Sequence, residues 1–585
     1  MKEKQENPIK VLFSFVGEAK GKMTISVILA VIGELFGMAP FFAVAALAGQ
    51  VYAGTATVGG VALIAGTAAV CMALRMYLTL KSSLRSHGIS FTILKNIRRA
   101  IADKMRRVPM GVMLETPSGT FKTLLVDNVG RLEDIIAHMI PEMPAGIAAP
   151  VASIALVFVL DWRMGLASLV TVPVSLLLML GMMQGYSEKM ATYLRSGNEM
   201  NAALVEYVGG IQVIKAFGQA GRSFGRFSDS VRFFHDSTMV WWRQSWLWMA
   251  GFKAVLPSTL LGTLPIGAWL YRNGSIALPV LLACIIIPVG FMPQLMKLGF
   301  GLEQLTYMAA NLNPIRAFLS KPEQRRPETP VTLSERAFVF ENVGFSYDGK
   351  TEVLHGLSFT ASPGRVTAIV GPSGSGKSTI AKLMAGFWDA TSGTVRFGGQ
   401  DIKDIPFAQL MSEISYVAQD NFLFDKTIRE NIRMGNPAAS DAEVEAAAKA
   451  ANCHDFIQEL EQGYDTLAGD AGDRLSGGER QRITIARAML KPASVVILDE
   501  ATAYADPENE ARIQQAISRL VSGKTLIVVA HRLSTIRGVN QILVIDSGKL
   551  VAQGTHGELL SSCPLYETMW NQYVGAADIA EKEVI

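Results

Sequence analysis

Apolar residues fall along this chain in two rhythms. Over roughly the first 312 residues they form long runs parted by polar segments, whereas residues 338–572 show the shorter alternating and helical periods of an ordinary α/β domain. A helix needs about 20 apolar residues to cross about 30 Å of hydrocarbon. Six spans are predicted on that basis, near 23–52, 61–80, 135–160, 164–183, 242–271 and 276–298. The second is expected to run on as helix towards Arg107 and the sixth towards Asn311, while Pro141, Pro144 and Pro150 break the third. Turns at 53–60, 161–163 and 272–275 are short, and the stretches 81–131 and 186–232 are long and polar. Pro314, Pro322, Pro327 and Pro330 then mark a linker.

Charge orients this pattern. Lys2, Lys4, Lys10, Lys20 and Lys22 precede the first span, and residues 81–131 are strongly basic, so both belong on the cytoplasmic side. A first span longer than a signal peptide's apolar region is expected to stay in the membrane. The net charge of +3, without a basic stripe carrying interleaved aromatics, excludes nucleic acid as a partner. Cys71, Cys284, Cys453 and Cys563 are far apart and read as structural rather than metal-binding. Trp241, Trp242, Trp246 and Trp248 are expected to form an interfacial belt, and Met179, Met182 and Met183 to be packing. Glu34, Arg75, Lys253 and Lys297 fall inside apolar runs, where a charge must be paired or face a wet cavity. Lys253 and Lys297 are the candidate substrate residues, suited to an anionic or metal-chelate solute.

The polar half carries the chemistry. Residues 366–370 read as a β-run, and Gly371, Pro372, Ser373, Gly374, Ser375, Gly376, Lys377, Ser378 and Thr379 follow it directly. Glycines in that spacing let successive N–H groups face one anion at a helix start, Lys377 reaches the outer phosphates, and Ser378 meets the magnesium ion of a bound nucleotide. Tyr347, ending the alternating run 338–347, is placed to stack on adenine. Gln419, after the short strand 415–418, suits an adjustable magnesium contact. Leu475, Ser476, Gly477, Gly478 and Glu479 open a second helix and so form a second anion-binding turn. The apolar run 495–498 ends in Asp499 and Glu500, the first for the magnesium shell and the second to polarise an attacking water. His531, after the strand 525–530, is placed to contact the γ-phosphate or orient that water. A soluble P-loop kinase is disfavoured by the six spans and the second anion site.

With these residues in this order, the chain resembles the ATP-binding cassette (ABC) transporter family, in its exporter-type (type IV) half-transporter form, over nearly its whole length. The resemblance implies a multidomain fold, an all-α six-helix transmembrane domain plus an α/β P-loop nucleotide-binding domain. Its expected divisions are 1–313, a linker at 314–336, 337–572, and a tail at 573–585. It implies ATP and Mg2+ as cofactors, a lipid bilayer around the helices, and ATP held between the P-loop of one cassette and the 475–479 signature of a second subunit. Residues 110–120 with 121–127, and 206–218, are similar to the family's two cytoplasmic coupling loops, and 469–472 to a loop that touches one of them. After Glu500 the family usually reads ATSALD, whereas residues 501–506 here read ATAYAD. That variant resembles the yersiniabactin and mycobactin uptake subgroup, implying a heterodimer that imports iron–siderophore complexes. The alternatives are an exporter of drugs, lipids or peptides, an ATP-regulated channel, or a non-transporting regulator.

Overall fold

The computed structural model describes residues 8–218, 220–418, 420–499, 515–517, 519–520, 523–530 and 536–572, without the side chains of 8, 9, 18, 220–224, 291–293 and 296–303. Two compact units result: Met1–Asp103 with Ser118–Ser320, and Lys104–Pro117 with Lys321–Ile585.

The first unit is helical. Among the described residues five helices are long and apolar enough to cross a membrane: Lys20–Tyr52, Val58–Met105, Ser118–Leu160, Trp162–Met183 and Gly225–Arg272. Leu278–Gly290 is apolar but shorter. The expected sixth span, 276–298, is interrupted: Pro288 lies inside the helix Leu278–Phe291, Pro293 inside a 3-10 turn Met292–Leu295, and helix resumes over Met296–Leu319. Each proline removes one backbone donor, which explains a tightened turn where the apolar pattern reads as continuous. The third span behaves in the opposite way. Helix runs on through Pro144 and Pro150 over Ile140–Leu160, and the irregularity falls on the N-terminal side of Pro141, as the π turn Ile135–Met139.

Small residues bring these helices close. Ser26 Oγ donates to Ser82 O at 2.9 Å and Ser82 Oγ returns the bond to Ser26 O at 2.7 Å, tying Lys20–Phe36 to Val58–Met105. A Cβ on Gly262 would stand 2.0 Å from Ala167 O, so helix Leu260–Arg272 rests directly on the backbone of Trp162–Ser168. The apolar centre gathers Met38, Ala149, Val157, Met164 and Leu281.

The second unit holds two sheets. β1 (Phe338–Ser346) pairs antiparallel with β2 (Glu352–Ala361) and with β4 (Ser392–Phe397), and β5 (Gln400–Asp401) extends the far side of β4. The larger sheet has the order β10 (Lys549–Gly554), β9 (Gln541–Asp546), β3 (Val366–Val370), β8 (Thr525–Val529), β7 (Val495–Asp499), β6 (Ile414–Val417). β3, β6, β7, β8 and β9 run parallel, and β10 closes one edge antiparallel to β9. Every residue of β7 is buried, as its unbroken apolar run demands of a strand covered on both faces. One core packs the antiparallel sheet against the helix Lys377–Met384, with Phe338 tilted against Phe397 and Phe340 stacked on Phe359. A separate core, including Ile432, Val444, Ala448 and Ile485, holds the helices Ile428–Arg433, Asp441–Ala450 and Gly477–Leu490.

Candidate functional site

Register sets the site. Ile369 of β3 pairs with Val529 of β8, and Val529 pairs with Asp499 of β7, so these three residues form one row at the carboxyl ends of their strands. The P-loop leaves β3 two residues beyond that row. Such an edge of a parallel sheet is where α/β proteins collect ligands.

The loop itself is shaped by glycine. Gly371, Gly374 and Gly376 have φ values of +153°, +77° and +100°, and a Cβ on Gly371 would lie 1.9 Å from Ile545 O. Only glycine turns these N–H groups inward at that approach. Lys377 Nζ donates to the carbonyls of Gly371 and Pro372 at 3.0 and 2.8 Å, across the mouth of the loop. Ser375 Oγ is buried without a hydrogen-bond partner within the loop, an unmet donor where a phosphate oxygen would sit. Ser378 Oγ donates to Asp499 Oδ1 at 2.9 Å, so the two residues expected at the magnesium ion adjoin one another. A buried carboxylate beside a hydroxyl at a P-loop fits Mg2+ with its phosphate-bound waters.

Tyr416 is a member of this group that sequence reasoning missed. Its hydroxyl donates to Asp499 Oδ2 at 2.8 Å, so both carboxylate oxygens are held. Burial, together with the Asp499 charge, raises its phenol well above the ordinary range, which keeps the proton on the donor. The signal was thin, since a tyrosine in a short strand is usually packing. Tyr347 stands beside the loop: its hydroxyl is 3.0 Å from Thr379 Oγ1, and its ring meets Trp388 edge-on at 5.5 Å. Trp388 in turn covers Gly111, whose N–H donates to Phe387 O at 3.0 Å.

The 475–479 turn sits on the helical core instead. Ser476 caps Gly477–Leu490: its Oγ accepts from Glu479 N, while Ser476 N donates back to the Glu479 carboxylate at 2.7 Å. Leu475 and Gly478 are buried, and Ser476 and Gly477 are the residues of the turn exposed to solvent. Gln419, Glu500, His531 and the 501–506 variant lie outside the described residues.

In the helical unit, Arg75 Nη2 meets Glu34 Oε2 at 3.1 Å, which accounts for two of the four intramembrane charges as a pair. Lys253 lines a cavity among Trp241, Trp242 and Trp246. The side chain of Lys297 is not among those described.

Two family models match: the ABC transporter transmembrane region over residues 13–292 and the ABC transporter model over residues 354–503. The mycobactin import ATP-binding/permease protein IrtA of Mycolicibacterium smegmatis is 36% identical over 94% of this chain. This chain spans 64% of that relative's length. The uncharacterized ABC transporter ATP-binding protein YknV of Bacillus subtilis is 32% identical over 81% of this chain and 79% of its own. Among solved structures, a bacterial Atm1-family ABC exporter with ATP bound superposes with a TM-score of 0.79 at 26% identity, covering 95% of this chain and 98% of the other.

Proposed function

The chain belongs to the ABC transporter family, and from that premise we propose that it is one half of an ATP-driven transporter that couples nucleotide hydrolysis to movement of a solute across a membrane. The observation that carries this is the joined Gly371–Ser378–Asp499 constellation at one sheet edge in a chain that also bears five long apolar helices. Its helices make it a multi-pass membrane protein, with the nucleotide-binding domain in the cytoplasm. A sixth crossing through 276–298 completes the topology, and the divisions 1–313, 314–336, 337–572 and 573–585 are the proposed domains.

In this reading Lys377 and the 371–376 N–H groups bind and orient the phosphates. Mg2+, when bound, neutralises phosphate charge and is held by Ser378, Asp499 and Gln419. Glu500 takes the proton of the attacking water, and His531 orients that water. Tyr347 stacks on the adenine. The Ser476–Glu479 turn closes on the nucleotide of a second subunit, so the working unit is a dimer. Residues 110–127 and 206–218 pass the closure to the helices.

The match to an exporter over nearly all of both chains favours the exporter reading over the inward one: an outward-moving pump for a lipophilic solute. A second reading, uptake of a metal–siderophore complex through a heterodimer, is favoured by the mycobactin import relatives and the 501–506 variant. Inside-out vesicles that accumulate a lipophilic dye on ATP addition support export; right-side-out vesicles that accumulate radiolabelled ferric siderophore support uptake. Glu500→Gln is expected to bind ATP and dimerise while losing turnover. Near-normal hydrolysis by that variant would refute the assignment.

A further inference from the structure

Between the helix Met296–Leu319 and β1 the chain reads as a loose tether, with prolines at 322, 327 and 330 and no helix or strand over 321–336. It is nevertheless stitched to the second unit along its length. Val331 N–H donates to Gln409 Oε1 at 3.0 Å, and Val331 O accepts from Gln409 Nε2 at 2.6 Å. Ser334 donates twice to Gly398 O, from its N–H at 3.0 Å and from Oγ at 2.9 Å. Arg336 meets Glu413 at 3.2 Å. Pro327 and Pro330 fix φ between these anchors, so the segment keeps little of a tether's freedom.

Residues 323–326 bridge two elements. On one side Glu323 Oε1 meets Nζ of Lys104 at 3.0 Å, in the last turn of the helix Val58–Met105, and Gln324 N–H donates to Arg107 O at 2.8 Å just beyond it. On the other side Gln324 Nε2 donates to Gly386 O at 2.9 Å and to Asp389 Oδ1 at 3.1 Å. Arg326 Nη2 donates to the same Asp389 oxygen at 2.7 Å, and Arg326 Nη1 donates to Ile402 O. Gly386, at φ +66°, is the left-handed residue that ends the helix Lys377–Met384. The bridge therefore grips the phosphate-binding helix by its far end, where a cation also complements the helix dipole.

Burial separates this bridge from an incidental surface contact. The side chain of Arg326 is 7% exposed and that of Lys104 10%. Taking a cation out of water is costly unless partners hold it in place. A connection that needed only length would not carry two.

We propose that residues 321–336 are a fixed strap, in which Glu323, Gln324 and Arg326 fasten the end of the helix Val58–Met105 to the far end of the phosphate-binding helix. The eight residues of Lys377–Met384 span about 12 Å without a joint, so the phosphate loop and the strap move together. Nucleotide bound at 371–378 is thereby felt at 100–107, and by linkage a displacement of 100–107 changes nucleotide affinity. This route runs through the linker rather than through 110–127 or 206–218, and it rests on the ATP-binding reading above.

Hydrogen exchange of the full-length chain in phosphatidylcholine nanodiscs tests it, first without nucleotide and then with Mg2+ and ATPγS. Without nucleotide, the amides of Gln324, Val331 and Ser334 are expected to exchange about tenfold slower than in an unstructured peptide of the same sequence. ATPγS is expected to slow exchange over 371–379 and, with it, over 100–107. Arg326→Gln and Glu323→Gln should each keep the first response and lose most of the second, with ATPγS affinity reduced about fivefold. Lys104→Glu should do the same, and adding Glu323→Lys to it should restore the response, a rescue that general destabilisation would not give. Exchange at the unstructured rate, or an undiminished response at 100–107 in Arg326→Gln and Glu323→Gln, overturns the strap. Protection at 371–379 with none at 100–107 in the unaltered chain overturns it too, and leaves ATP binding standing. No protection at 371–379 would instead remove the ATP-binding reading, while slow exchange at Gln324, Val331 and Ser334 would uphold the strap by itself.

Discussion

Asp499 shows how much a single position can hold. The apolar run before it and the P-loop upstream make it legible from sequence as a magnesium residue, and its bond to Ser378 fits that reading. Its second oxygen is taken by Tyr416, which nothing in the sequence marks, because the pairing depends on β6 lying beside β7 and on a register of Val417 with Leu498. Hydrogen bonds to charged groups contribute about 1.5–3 kcal/mol. Tyr416→Phe keeps the ring and removes that donor, so Asp499 gains freedom to rotate away from the metal. The magnesium concentration for half-maximal ATP hydrolysis is expected to rise about tenfold, with ATP affinity in the absence of metal unchanged. Superimposable magnesium titrations for the two proteins would reduce Tyr416 to a packing residue.

Among elements, the segment Met110–Glu115 makes contacts that sequence could not disclose. Resemblance marks 110–120 as a coupling loop, but Gly111 is spaced for no motif. In the structure a Cβ there would stand 1.7 Å from Trp388 Nε1, and Trp388 lies against Tyr347. Gly111→Ala is therefore expected to displace this short helix, and solute-stimulated hydrolysis should fall several-fold while ATP binding persists. Full stimulation in that variant would show that the segment tolerates a gap. The helix starts Thr427–Glu430, Ser440–Glu443 and Thr555–Glu558 share another device, a capping box. Backbone N–H bonds from Thr427, Ser440 and Thr555 lower the pKa of the three glutamates. Stability from a depressed carboxylate is present above its unfolded pKa, about 4.3 for glutamate, and is lost as pH falls through the lower folded value. Melting temperature should thus hold from pH 7 to about 5 and decline below, and the triple Glu→Gln variant should decline less steeply. Identical acid profiles would count against the caps.

For the molecule as a whole, the division into apolar and α/β halves was plain in the hydrophobic rhythm, because membrane crossing and a doubly covered sheet impose patterns that few other structures share. Proline placement was not. Pro144 and Pro150 are absorbed in a membrane helix whose neighbours supply support, whereas Pro288 and Pro293 stand where the sixth run gives way to a 3-10 turn. Composition also does not tell which of the tryptophans line a cavity: Trp241, Trp242 and Trp246 do, and Trp248 lies against Gly181. A shared nucleotide site makes its own prediction at this scale. A chain carrying Lys377→Ala and another carrying Ser476→Ala are each expected to be inactive alone. Co-expressed at equal levels, they pair at random, half of the dimers are mixed and each mixed dimer keeps one composite site of two, so about a quarter of the hydrolysis should return if two copies pair. Recovery only with a different partner chain would mark a heterodimer.

The helix Val58–Met105 carries a consequence of pure geometry. Its 48 residues extend about 72 Å at 1.5 Å each, more than twice the hydrocarbon thickness. Rocking such a rod by about 5° around its midpoint sweeps each tip through about 3 Å, about six times the width of the usual hydrogen-bond distance range. Displacements of that size at either end can therefore come from a rotation too slight to disturb the packing around its pivot.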